Sequence, residues 1–328
     1  MDELVGEILL HIPPHDPASL LRAALVCKRW GRIVSDPGFR RRFREFHRNP
    51  PLLGFFRNRN SFVSTSSFRF PPAALLNFHR RIDRRHGRVL RHRLMDARHG
   101  RVLLWNLRRQ YDDDEIHLGN ELMVWDPITD DSSELPLPPT PERPSKTGMF
   151  AHVYSSETAA WSEEISAHHL RVNHMYMLPS ALVGNNLYFV CSAAVLKYDL
   201  VARQMSLIHL PWDRINGRTI LSEGGRLGRA DISSDRLYLY LWSREVGPDE
   251  DVGWAQRKVI NLRKLLPDVP LRSLRLAGFA HGLDVILVGS SKGTFTIDLK
   301  SLQATKLQGE DCCEFWFPYM SFYTPGTS

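Results

Sequence analysis

Residues able to do chemistry are few in this 328-residue sequence, and their spacings do not converge on a reaction centre. His168-His169 and His174 lie near Glu163-Glu164, yet no H-E-x-x-H or other ligand spacing joins them. Adjacent histidines on a strand would also face opposite sides. Asp112-Asp113-Asp114-Glu115 and Asp249-Glu250-Asp251 hold enough oxygen for calcium but lack the glycine-punctuated D-x-D-x-D-G order, so they read as solvated loops. Ser155-Ser156 and Ser290-Ser291 lack a G-x-S-x-G elbow, and Gly224-Gly225-Arg226-Leu227-Gly228 is too loose to cradle phosphate. Cys27 reads as a small packed residue rather than a nucleophile. These residues assign no catalytic, cofactor-binding or metal-ligating group, and a non-catalytic binding protein is expected.

The elements that would position such groups change character along the chain. Residues 2–47 read as three short amphipathic helices. Leu4, Val5, Ile8, Leu9 and Ile12 form one helical stripe, which Pro13-Pro14 ends because a proline ring has no N–H to continue the ladder. Asp16-Pro17 restarts the chain as N-cap and first helical residue. Leu20, Leu21, Ala24 and Leu25 make a second stripe, which Val26, Trp30, Ile33 and Val34 continue. Asp36-Pro37 repeats the cap before a helix carrying Phe39, Phe43 and Phe46. A unit this small hides little of its own apolar surface, and the surplus points to a protein partner.

The residues of this segment resemble an F-box. The resemblance rests on Asp2-Glu3-Leu4, Glu7-Ile8-Leu9, Ile12-Pro13, Leu20-Leu21, Val26-Cys27-Lys28-Arg29-Trp30 and Ser35-Asp36-Pro37-Gly38-Phe39. It implies docking to the Skp-type adaptor of a cullin-RING ubiquitin ligase through Leu4, Ile8, Leu9, Ile12, Pro13, Leu20, Leu21, Val26 and Trp30. Family members usually carry a Leu-Pro pair before the first helix. Here Met1 stands directly before Asp2, and a weaker contact is expected at that edge.

Asn49-Pro50-Pro51 marks a boundary, giving an expected helical module over 1–48 and a β domain over 49–328. Beyond it, short β-rich runs recur between turn residues, as in Leu122-Met123-Val124-Trp125, Asn186-Leu187-Tyr188-Phe189-Val190 and Val285-Ile286-Leu287-Val288. A repeat runs through them: a strand, then Asp or Asn, then a turn. Its copies are Val124-Trp125-Asp126-Pro127, Lys197-Tyr198-Asp199-Leu200, Val259-Ile260-Asn261-Leu262 and Thr296-Ile297-Asp298-Leu299. The spacing is that of propeller blades, and the length predicts about six to seven of them. The repeated acids read as turn formers that accept backbone N–H bonds. Residues 64–93 and 212–234 show no such pattern.

Composition sets outer limits. Hydrophobic residues make up 43% and aromatics 10% of the chain, enough for a sizeable core. No apolar run approaches the ~18 residues of a membrane span, and no secretory signal is visible, so no membrane association is expected. Cys27, Cys191, Cys312 and Cys313 are scattered, which fits a reducing cytoplasmic or nuclear compartment. Residues 1–110 hold 23 Lys and Arg against 8 Asp and Glu, and the remainder 20 against 28. The basic front half lacks zinc-finger spacing, RNA-binding signatures or a P-loop, so no nucleic-acid partner is expected.

The β region resembles the propeller-like domain that follows the F-box in large plant families, especially of grasses. The matching residues are Pro50-Pro51-Leu52-Leu53-Gly54-Phe55-Phe56, Ala97-Arg98-His99-Gly100-Arg101-Val102-Leu103-Leu104, Val124-Trp125-Asp126-Pro127, Ala151-His152-Val153-Tyr154-Ser155-Ser156 and Phe317-Pro318-Tyr319-Met320-Ser321-Phe322-Tyr323. The two resemblances together imply a substrate-recognition subunit of an SCF-type ligase, binding an adaptor by its helices and a target protein by its β domain. Two other readings are a propeller enzyme or carbohydrate-binding protein with a helical cap, and a degenerate F-box protein that binds its adaptor weakly. The first reading predicts that Leu9→Asp with Leu21→Asp abolishes adaptor pull-down.

Overall fold

The computed structural model describes residues 2–57, 61–65, 82–83, 88–89, 91–112, 115–139, 149–167, 170, 175, 178–191, 194–210, 219–223, 225–246, 252–280, 283–307 and 316–322. It divides into two compact units, residues 1–134 with 317–328, and residues 135–316.

Four helices open the first unit: α1 (Asp2–Leu10), α2 (Pro17–Val26), α3 (Lys28–Ser35) and α4 (Pro37–His47). Three were expected. The second stripe is divided at Cys27, whose extended backbone (φ −159°, ψ 160°) ends α2 and starts α3. Both predicted caps form. The Asp16 carboxylate accepts from the Ser19 N–H at 3.3 Å and from its hydroxyl at 2.6 Å, and Asp36 accepts from the Phe39 N–H at 3.0 Å. The hydroxyl bond of Ser19 holds the Asp16 carboxyl below its usual pKa. Leu9, Leu10, Leu20, Val34, Phe39 and Phe43 form the module's core, and Phe322 from near the C-terminus packs against it.

The β architecture is propeller-like. Four antiparallel four-stranded meanders follow one another: 91–135, 181–209, 219–261 and 275–306. A fifth sheet in the first unit places strand Leu52–Arg57 between Ser61–Ser64 and the late strand Trp316–Met320. Gly54 lets this sheet close tightly, because a Cβ there would lie 2.3 Å from the Phe62 ring. The described residues thus show five blade-like sheets rather than six to seven. Dividing length by period counted residues 136–180 as blade, but the described part of that stretch holds only two-stranded ladders, Met149–Ala151 with Ile165–Ala167 and Tyr154–Ser155 with Ala160–Trp161. The unpatterned 212–234 stretch, conversely, contains two strands of a meander, Thr219–Glu223 and Arg226–Ile232.

The repeated acids are turn formers. Asp126 accepts from the Ile128 N–H at 2.9 Å, Asp199 from Val201 at 3.0 Å and Ala202 at 2.9 Å, and Asp298 from Lys300 at 2.9 Å and Ser301 at 2.7 Å. Four residues beyond each acid, Asp130, Arg203 and Leu302 take positive φ (60°, 53°, 57°) and turn the chain back. Asn261 accepts from the Lys264 N–H at 3.0 Å in the same way, but there the turn runs into a short helix, α5 (Leu262–Leu265), instead of a strand.

These backbone bonds hold the Asp298 and Asp199 carboxyls below their usual pKa. A carboxyl whose folded pKa is depressed stabilises the fold above its unfolded value, and the effect is lost as pH falls through the folded value. Asp199→Ala with Asp298→Ala is therefore expected to lower the thermal midpoint at neutral pH. The gap from wild type should narrow below about pH 4. Thermal melts at both pH values check this, and a gap that does not change with pH contradicts it.

Candidate protein-docking site

Helix geometry separates the module's inner and outer faces. Side chains advance about 100° per residue around a helix. On α1, Gly6, Leu9 and Leu10 lie on one side and are buried, while Leu4 and Ile8 lie opposite and are 67% and 66% exposed. On α2, Pro17, Leu20 and Ala23 are buried, and Leu25 and Val26 at its end are 84% and 66% exposed. Isolated exposed leucines need no explanation, but this small module leaves five large apolar side chains exposed, Phe46 (50%) among them, and four of these, Leu4, Ile8, Leu25 and Val26, lie on α1 and the end of α2.

Two ion pairs link the helices beside this face. The Arg29 guanidinium of α3 bonds the Asp2 carboxylate of α1, and Arg42 of α4 bonds Glu7. The first brings the start of α1 against the α2–α3 junction, three residues after Val26. These side chains are about half exposed, so the pairs fix position more than they add stability. Aromatic packing supplies the interior. The Phe43 ring stacks on Phe39 at 5.9 Å and meets His47 edge-on at 4.5 Å and Phe322 at 6.1 Å. The His47 ring bonds the Leu10 carbonyl at 2.8 Å, which gives one terminal carbonyl of α1 a partner.

The nine residues expected at the adaptor contact therefore fall into three groups. Leu4, Ile8, Pro13 and Val26 are exposed, and Ile12, Leu21 and Trp30 are half-buried. Leu9 and Leu20 are each 1% exposed and belong to the core. Their burial departs from the exposure expected of contact residues: stripe periodicity finds a helix's apolar positions, but α1 has apolar residues on both faces. Leu9→Asp would accordingly test folding rather than docking. Leu25, the most exposed large apolar residue of the module, belongs to the second apolar stripe but is absent from the expected contact. Its place in the last turn of a helix that ends at Val26 was the missed signal. Cys27 is exposed rather than packed.

Ser290, considered as a nucleophile, is fully buried. Its hydroxyl donates to the Gly293 carbonyl at 2.8 Å and accepts from the Lys292 N–H at 3.1 Å, which is a turn role. His168, His169, His174, Asp113, Asp114, Asp249, Glu250, Asp251 and Gly224 lie outside the described residues. Among the described residues no group of three or more His, Cys, Asp or Glu is placed to hold a metal ion, and no helix is long and apolar enough to cross a membrane.

Residues 6–45 match the F-box-like family. The N-terminal helices are an F-box-like domain. No curated protein matches the chain. Solved structures similar to it include the mitotic checkpoint complex, at 10% identity over 70% of this chain and 82% of that one, with a TM-score of 0.37. A luciferin-regenerating enzyme is similar at 10% identity over 70% and 78%, with a TM-score of 0.36. The extracellular domain of a one-component system from B. thetaiotaomicron is similar at 10% identity and a TM-score of 0.33, and the match spans 66% of this chain but only 27% of that one. Likeness at this level assigns no activity.

The F-box-like domain's two faces should respond differently to substitution. Leu9→Ala is expected to lower the stability of the helical signal in denaturant by about 2–5 kcal/mol, as cavity-forming core changes do. Leu4→Ser with Ile8→Ser should change it by no more than roughly 0.5 kcal/mol per residue. Circular dichroism in urea separates the two outcomes, and equal losses would contradict the assignment of faces.

Proposed function

We propose that this chain is the substrate-recognition subunit of an SCF-type cullin-RING ubiquitin ligase. F-box domains generally bind Skp-type adaptors, and an F-box-like domain followed by a propeller-like β domain fits a non-catalytic adaptor of this kind. The observation that carries the reading is the apolar face of Leu4, Ile8, Leu25 and Val26, directed away from the module's own core. In this reading residues 1–48 dock the adaptor and residues 49–328 hold a target protein, in the cytoplasm or nucleus. The resemblance of the β region to the plant F-box families supports the same assignment.

The mechanism needs no catalytic residue in this chain. Holding the target beside an activated ubiquitin on another subunit raises the effective concentration of its lysines. The rigid parts of such a receptor are the caps and aromatic packing of the module and the Asx turns of the sheets. Its working surfaces are exposed side chains that the fold itself leaves unpaired.

Burying a Leu, Ile or Val side chain contributes roughly 1.5–3 kcal/mol. Leu4→Ser, Ile8→Ser and Val26→Ser combined are thus expected to weaken binding to a purified Skp-type adaptor by about a hundredfold or more, with helix content unchanged. Calorimetric titration measures it. Undiminished affinity in the folded triple variant would contradict the proposal.

A further inference from the structure

Helix α4 carries a second unused surface of different chemistry. Its buried residues, Phe39 and Phe43, lie on one side. On the opposite side Arg41 and Arg44 follow one another at i and i+3, and Arg48 stands just past the helix as its C-cap, adding a third exposed guanidinium at that end. Residues 28–48 contain eight Lys and Arg, seven of them arginine, and only two acids, Asp36 and Glu45. Asp36 is committed to capping α4. Glu45 lies 3.9 Å from Arg41, with both side chains mostly exposed, so it neutralises the arginines weakly. Among the described residues Arg44 and Arg48 have no carboxylate within ion-pair distance, in contrast to Arg29 and Arg42.

Arg48 adds an independent observation. It ends α4 at φ 59°, where glycine would sit without strain and a side chain is disfavoured. Its N–H bonds the Arg44 carbonyl at 2.8 Å, a contact that glycine would make equally well. The positive charge is favourable near the helix C-terminus, and that effect explains one cation there rather than three.

We propose that the outward side of α4 and its C-cap, formed by Arg41, Arg44 and Arg48, docks an Asp/Glu-rich protein segment. Arginine suits this partner, because its planar fork pairs with a carboxylate through two parallel bonds. The spacing suits it as well. Residues three apart on a helix rise about 4.5 Å. Alternate side chains of an extended peptide are about 6.8 Å apart, within the reach of flexible arginines. A nucleic acid is the less favoured polyanion, because the basic front half of the sequence carries no zinc-finger spacing, RNA-binding signature or P-loop beside these arginines. These arginines are separate in residues from the apolar face of Leu4, Ile8, Leu25 and Val26. The two surfaces can therefore serve different partners, or different parts of one.

The test uses the full chain and a fluorescent poly-glutamate peptide, followed by anisotropy over a range of salt, with a single-stranded oligonucleotide of equal charge alongside. The peptide is expected to bind, to weaken as salt rises, and to lose about tenfold or more in affinity with Arg41→Gln, Arg44→Gln and Arg48→Gln combined. Circular dichroism checks that the variant keeps its helices. Three results would each overturn the proposal: no peptide binding, unchanged binding in the folded variant, or tighter binding of the oligonucleotide than of the peptide. Adaptor titration of the same variant reads the apolar face separately, so failure of one surface is not mistaken for failure of the other.

Discussion

Four short helices share one small core, so each can turn only one side toward it, and this constraint governs the N-terminal module. Its interior is filled from one side of each helix, around Phe43, which touches Phe39, His47 and Phe322. Everything apolar on the other side stays in water unless another protein covers it. Leu4, Ile8, Leu25 and Val26 are therefore explained by a partner better than by the fold that carries them. The caps at Asp16 and Asp36 make the arrangement possible by starting α2 and α4 at fixed points despite their short lengths.

The β domain follows a different economy. Asp126, Asp199 and Asp298 each use a carboxylate oxygen to satisfy backbone N–H groups at a turn, and a left-handed residue four positions later completes the reversal. Repetition at matching places in successive meanders is a structural signature, since an active site needs one set of groups and not a copy in each blade. Burial has similar effects elsewhere. Desolvation raises the Asp231 carboxyl although Arg229 bonds it at 2.8 Å, and it pushes the Tyr319 hydroxyl well above the ordinary phenol range. Tyr319 donates to the Gly100 carbonyl at 2.9 Å, tying the late strand to the His99-Gly100 turn within the first unit. These perturbed groups belong to architecture.

Much of this was legible in the sequence, and the misses have physical reasons. Caps and Asx turns could be read because each depends on one residue type and its immediate neighbours. The division of the second helix at Cys27 could not, because nothing in Val26-Cys27-Lys28 forbids a helix. Length divided by strand period predicts more blades than the five blade-like sheets of the described residues, and the described part of 136–180 holds two-stranded ladders where that period places a four-stranded sheet. The strands of 219–232 were missed because Gly225, Gly228 and alternating Arg and Asp hide an inward face that includes Arg229, 4% exposed and paired with Asp231. The burial of Leu9 and Leu20, both expected at the adaptor contact, was hidden for a related reason. Apolar periodicity shows which residues share a helix face, while only packing shows which face is turned inward.

The central claim is that the apolar face of α1 and the end of α2 is covered by an adaptor and not by this chain. Hydrogen–deuterium exchange of the full chain, with and without a purified Skp-type adaptor, tests it most directly. The account predicts new protection in α1 and around Leu25 and Val26, with the meanders of 181–306 unchanged. Protection confined to the β meanders, or none anywhere at saturating adaptor, would contradict it.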